Sequence, residues 1–240
     1  MTLGDLGRTL GERGQMLALD PPGAERLTVA EAFASAVAGP RAHGYGMPRD
    51  LLLGVALRLP DGSLVHGGGR VVKNVAGYDL PRLVVGSAGR LGQIERACVR
   101  LHPLPAATCT VVAEPADPLV LEPLAPACVE YAWPPGHMLV RFESPAAAEL
   151  AGQARALVGG EVVEDDEAIW AEHRDAALGL HVHRALPAAV PAAIDELRES
   201  GATRIVGRLA RGILYTDVQK RCQAPFLQPL EQRVVEAFGG

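Results

Sequence analysis

Residues Gly67–Gly92 read GGGRVVKNVAGYDLPRLVVGSAGRLG. Seven glycines surround a short apolar run. The stretch also holds the chain's only asparagine, Asn74, beside Lys73, one of two lysines in 240 residues. Positions without side chains let backbone N–H groups approach a ligand closely, and successive amides in such turns form concavities that accept anions. The stretch therefore reads as a polar cradle, with Lys73 and Asn74 as its polar side chains.

The residues leave two local structures open. In one, Leu83–Val85 is a strand and Gly86, Gly89 and Gly92 form a GxxGxxG turn. Ile94, Ala97, Cys98 and Leu101 then line a helix, and Glu114 ends a second strand at Val111–Ala113, as in an NAD-binding Rossmann unit. In the other, Ala97, Val99 and Leu101 alternate with Arg96, Cys98 and Arg100 along a strand.

Upstream, Leu3, Leu6 and Leu10 share a helical face over residues 2–13, ended by Gly14. Met16–Asp20 reads as a short strand entering the turn Pro21–Gly23, and Thr28–Ala38 as a short helix or an irregular Ala-rich segment. Leu51–Leu59 and Ser63–His66 form a hairpin around Asp61–Gly62. Residues 101–107, LHPLPAA, read as a linker, because each proline disfavours helix before it. A domain boundary is expected near residue 105, dividing 1–105 from 106–240.

Beyond that boundary, strands are expected at Cys109–Ala113, Val129–Trp133, Met138–Phe142, Leu180–His183, Arg204–Arg208 and Ile213–Thr216. Helices are expected at Pro145–Val158, Glu167–Ala177, Pro187–Glu199 and Pro229–Phe238. Strand pairs with short links, mixed with helices of this length, predict an α+β fold with a mostly antiparallel sheet.

Composition narrows the function. A net charge of −5 and the lack of a Lys/Arg-rich run argue against a general nucleic-acid binder. Cys98, Cys109, Cys128 and Cys222 are widely spaced with no CxxC, which gives little support to a disulfide framework, zinc site or iron–sulfur cluster. No apolar run is long enough to span a membrane, so a cytoplasmic setting is expected, with inner-membrane association only through partners.

The run RVVKNVAGYDLPRLVVGSAGRLGQIERACVRLHPLP closely resembles the FAD-linked oxidases of the vanillyl-alcohol-oxidase/PCMH type. Within that family it is most similar to the small FAD-binding chain of bacterial glycolate oxidases, where GGRVVKNVAGYDLxKL precedes GSxGxLG and a strand ends in LxPxP. The flank Gly39–Leu59, GPRAHGYGMPRDLLLGVALRL, resembles the family's GPxRxxYGxxRDLxLGxxVxL, and Gln15–Gly23 and the pair Trp170 and Arg174 extend the likeness.

The resemblance implies the second subdomain of a PCMH-type FAD-binding domain followed by an α+β cap on the substrate side. It implies FAD as cofactor, a 2-hydroxy acid of the glycolate type as substrate, and a larger flavoprotein subunit and an iron–sulfur subunit as partners. The cofactor-binding residues it implies are Gly39, Pro40, Arg41, Lys73, Asn74, Gly77, Tyr78, Gly86, Ser87, Gly89, Leu91, Gly92 and Ile94. It identifies no catalytic residue.

Two departures from the family pattern bear on FAD. Met1 falls in the helix that follows the family's first subdomain, so that subdomain is expected to be absent. The motif TLGGxxAxNxxGP appears as Leu27–Pro40, LTVAEAFASAVAGP, with Ala30 and Glu31 replacing paired glycines. A shortened, non-flavin assembly subunit is therefore the alternative expectation.

Outside this stretch, His181 and His183 share a strand face without a third metal ligand in view, so ordinary histidines are expected. The run Glu164–Glu167 reads as a helix start favoured by the helix dipole. Trp133 and Trp170 are expected in the core.

Overall fold

The computed structural model describes residues 1–69 and 79–219. Thr2 caps helix α1 (Leu3–Gly11), which is followed by strand β1 (Gln15–Met16) and helix α2 (Val29–Ser35). Two short turns of helix, α3 (Ala42–Tyr45) and α4 (Pro48–Leu51), lead into the hairpin β2 (Leu52–Arg58) and β3 (Leu64–Gly68). Helix α5 (Leu80–Val84), strand β4 (Gln93–Val99) and strand β5 (His102–Pro103) complete the N-terminal part. Its sheets run β3-β2-β4 and β1-β5.

The C-terminal part begins with β6 (Thr108–Ala113), β7 (Cys128–Trp133), β8 (His137–Glu143), α6 (Ala147–Val158) and β9 (Glu161–Val163). It continues through α7 (Glu167–Asp175), β10 (His181–Arg184), α8 (Val190–Glu199), β11 (Ile205–Arg208) and β12 (Ile213–Thr216). Its strands form one sheet in the order β10-β12-β11-β7-β8-β6-β9, and its pairings are antiparallel. The fold is α+β.

The structure corrects the Rossmann alternative. Gln93–Val99 is a strand, paired antiparallel with β2 from Leu52↔Val99 to Arg58↔Gln93. The segment needed as the preceding strand is helix α5, capped by the Asp79 side chain. A Rossmann unit needs the reverse assignment at both places. The expected linker is also partly structured: His102–Pro103 pairs with Gln15–Met16. The expected helix at 229–238 lies outside the described residues.

Alternation along the large sheet gives it two different buried faces. Cys109, Val111, Val129, Tyr131, Met138, Val140, Phe142 and Ile205 point to an apolar core with Ala147, Ala151 and Ala154 of α6 and Val190, Ile194 and Leu197 of α8. The other face carries Thr110, Glu130, Arg141 and Arg208, all buried. It packs against α7 and the N-terminal part.

In the N-terminal part Phe33 is fully buried in α2, among Leu51, Leu57 and Val84. Its carbonyl also accepts the Gly86 N–H at 3.1 Å. Phe33→Ala should destabilise the protein by about 3–5 kcal/mol, the usual cost of deleting a buried aromatic ring. Urea unfolding checks this; a loss under about 1 kcal/mol would mean that α2 is not packed as described.

Candidate functional site

The loop after α5 lies against α2 because its backbone is tied there. Gly86 N–H donates to the Phe33 carbonyl and Ala88 N–H to the Ala34 carbonyl at 2.8 Å. Gly86, Gly89 and Gly92 all have positive φ, which glycine adopts without a steric penalty. A groove of about 510 Å³ opens between the loop and α2, with Ala30, Glu31 and Ala34 among its lining residues on the helix and Gly89, Gly92 and Ile94 on the other side. A side chain placed on Gly89 would meet nothing within 4 Å. The bare backbone there borders open space and is not forced by packing.

At the amino end of α2, Thr28 Oγ accepts the Glu31 N–H, and the Glu31 carboxylate accepts Thr28 N–H at 2.9 Å and Thr28 O–H at 2.7 Å. This reciprocal cap fixes a carboxylate on the groove wall. The hydrogen bonds from Thr28 hold the Glu31 carboxyl below its ordinary range, so it stays ionised. Arg58, also on the groove, is paired with Glu95 at 2.6 Å.

Of the other expected cofactor residues, Ser87 closes a local turn, its carbonyl accepting Arg90 N–H at 3.0 Å, and Leu91 is exposed. Lys73, Asn74, Gly77 and Tyr78 lie outside the described residues. Gly39, Pro40 and Arg41 are not on the groove. A side chain on Gly39 would fall 1.7 Å from the Asp20 carbonyl, so glycine is required there by close packing. Arg41 turns to the seam between the two parts, with its guanidinium 2.9 Å from the fully buried Glu143 carboxylate.

That seam is a connected set of buried charges. Glu143 also accepts Tyr45 O–H at 2.8 Å and lies 3.4 Å from Arg141. Arg141 forks onto Asp166 at 2.8 and 3.1 Å, and Asp166 accepts Thr108 and Thr110 hydroxyls at 2.9 and 2.6 Å. Asp166 therefore belongs to a buried pair; it stands at the N-cap of α7, where the helix start is expected, but its side chain makes no cap bond. Trp170 is buried and donates its ring N–H to Thr110, while Trp133 is half-buried with Arg198 stacked on its ring. His183 is taken up by the Val218 carbonyl at 3.0 Å.

A second cavity, of about 460 Å³, lies beside the seam and is lined by Asp20, Arg41 and Arg174. Asp20 accepts Arg41 N–H at 3.2 Å, yet burial pushes its carboxyl up to about 6 against the pull of Arg41, Arg208 and Arg174. Composition gave no signal for Asp20, and the sequence does not reveal that Gly39 seals one side of it.

Residues 1–68 match the FAD binding domain family. Glycolate oxidase subunit GlcE of Escherichia coli is 41% identical over 103 residues, covering 42% of this chain and 29% of that protein. These segments resemble FAD-linked oxidases. Glycolate oxidase subunit GlcD of Bacillus subtilis is 36% identical over 109 residues, covering 45% of this chain and 23% of that protein. A D-lactate dehydrogenase of Archaeoglobus fulgidus is 43% identical over 82 residues, 34% of this chain and 18% of that protein. The matches thus span less than a third of these relatives' lengths. Among solved structures, alkyldihydroxyacetonephosphate synthase superposes on the whole chain with a TM-score of 0.61 at 15% identity, over 58% of its own length. That likeness shows the fold.

The family match and the relatives support FAD as the cofactor. The open glycine loop fits part of such a ligand: Gly89 leaves its backbone accessible and Ile94 offers apolar contact beside it. Of the two charged groups on the groove wall, Arg58 is paired with Glu95, whereas the Glu31 carboxylate has no basic partner among the described residues.

Asp20 gives a pH signature. Its folded value of about 6 lies above the ordinary 3.8, so the folded protein keeps a proton that the unfolded chain has released between those values. The stability this contributes is full below pH 3.8 and is lost as pH rises through 6, about 3 kcal/mol in all. Asp20→Asn should remove that loss and gain stability relative to wild type between pH 4 and pH 8, measured by urea unfolding across the range. Parallel pH profiles would show that Asp20 ionises normally.

Proposed function

We propose that the chain is part of an FAD-linked oxidoreductase acting on a small 2-hydroxy acid of the glycolate type. Residues 1–105 form the flavin-side domain and residues 106–240 the cap on the substrate side. The observation that carries this reading is the groove beside Gly86–Gly92, in a chain whose relatives are named as glycolate oxidase subunits and D-lactate dehydrogenases. Gly86, Ser87, Gly89, Leu91, Gly92 and Ile94 hold the cofactor on one side. The resemblance adds Lys73, Asn74, Gly77 and Tyr78 to its surroundings, whereas Gly39, Pro40 and Arg41, which it also implies, lie off the groove, with Arg41 on the seam.

When bound, FAD supplies the two-electron chemistry. The chain's own contribution is positional and electrostatic. The loop presents backbone without side-chain bulk, and Glu143 keeps Arg41 beside Asp20. The Asp20 carboxyl holds a proton at its Oδ atoms up to about pH 6. Two relatives, from different organisms, are each named a glycolate oxidase subunit, which supports work within a complex; the partners proposed are a larger flavoprotein subunit and an iron–sulfur subunit. No helix among the described residues is long and apolar enough to cross a membrane; the proposed setting is cytoplasmic, with partners providing any attachment to the inner membrane.

The capped Glu31 favours a second reading, a non-flavin assembly subunit of such a complex, because it sets a negative charge on the cofactor groove. FAD titration, followed by flavin fluorescence, separates the two. Under the first reading FAD binds and Gly89→Asn, a side chain that tolerates the positive φ there, weakens it by about tenfold or more, with the fold checked by melting temperature. Glycolate or D-lactate should then reduce a dye with the chain in its complex. Flavin binding unaffected by Gly89→Asn would remove the loop from the site. Absence of flavin from both chain and complex would favour the assembly role.

A further inference from the structure

We propose that Glu31 sets the charge selectivity of the Gly86–Gly92 groove, so that the chain by itself takes a neutral flavin in preference to one carrying a diphosphate. This rests on the reading that the groove takes part of a flavin cofactor.

Three observations support it. First, Glu31 is one of the groove's lining residues, opposite Gly89 and Gly92, and its position is fixed by two hydrogen bonds from Thr28. A carboxylate held in this way does not swing aside without breaking the cap of α2. Second, the basic residue on the same groove, Arg58, is already paired with Glu95 and has the Gly62 carbonyl within reach at 3.5 Å. The groove therefore has no unpaired cation among its described lining residues to offset Glu31. Third, the rest of the lining is Thr28, Gln93, glycine and apolar side chains, which suits the uncharged part of a flavin.

A diphosphate brings negative charge into this space. Two like charges about 6 Å apart, at a dielectric intermediate between water and protein, oppose binding by roughly tenfold in affinity. The effect is screened by salt.

The test separates charge from helix stability. Gln at the third helical position can make the same reciprocal cap as Glu, so Glu31→Gln removes the charge and keeps α2 capped. Glu31→Gly removes both. The full-length chain and both variants are titrated with FAD, ADP and riboflavin by fluorescence and calorimetry, at low and high salt, with melting temperature as the fold check.

The expected result is that Glu31→Gln binds FAD and ADP roughly tenfold tighter than wild type at low salt, with riboflavin affinity unchanged and the gain smaller at high salt. Wild type should bind riboflavin at least as well as FAD. Tight FAD binding by wild type with no gain in either variant overturns the proposal and leaves the flavin function standing. An equal gain for riboflavin also overturns it, since the effect would then be steric. No flavin binding by any form overturns both this proposal and the cofactor reading on which it rests.

Discussion

Glu143 is a carboxylate with no solvent exposure, and it is reached from both parts of the chain. Arg41 and Tyr45 come from α3 and its first flanking residue in the N-terminal part, and Arg141 from the same strand as Glu143 itself. Removing one partner from such a group leaves a buried charge uncompensated, which costs far more than the pair contributes when intact. The seam therefore admits one arrangement of α3 against the sheet. Apolar contacts alone would tolerate sliding, but directional bonds to a buried carboxylate do not. Burial and the Glu143 charge hold the Tyr45 hydroxyl well above its ordinary range, and the acids beside Arg41 raise its value too, so donor and cation keep the states the bonds need.

The same seam continues on either side. Through Arg141 it reaches Asp166, and with it the start of α7. Arg208 hydrogen-bonds the Ala38 carbonyl, and Arg211 reaches the Ala42 carbonyl, so β11 and the turn after it are tied to the segment that carries Gly39–Arg41. Asp20, Arg41 and Arg174 come to line one cavity because these ties leave the segments no other place. The raised Asp20 value follows from the same geometry: Gly39 packs onto its backbone, and burial outweighs three nearby arginines.

The strands of the C-terminal part were legible because β-branched and aromatic residues alternate there over four to seven positions between clear turns. Gln93–Val99 was not, since seven residues fit both periods; pairing with β2, some 40 residues upstream, decides the matter. Glu161–Val163 is too short for any periodic signal, and the His102–Pro103 strand hides behind a proline placed at a sheet edge. Charges were harder still. Nothing in a single sequence says that Arg41 will find an acid 102 positions away, or that Asp166 in a run of four acids is the one that turns inward. The glycine loop was visible as composition, but which of its glycines border open space is a tertiary fact.

Helix α2 governs the groove from both ends. Its carboxyl-end carbonyls, at Phe33 and Ala34, fix the path of the glycine loop; its amino end fixes the charge of the facing wall through Thr28 and Glu31. These controls act through different atoms. Loop shape depends on backbone hydrogen bonds and on the burial of Phe33, neither of which involves the residues at positions 30 and 31. The wall's charge depends on one side chain whose hydrogen bonds are local to the helix start. An exchange at position 31 that keeps the cap, such as Glu31→Gln, can therefore change what the groove admits while the loop keeps its shape. On the proposed reading, the loop sets the shape of ligand the groove takes, and the helix start sets how much charge that ligand can carry.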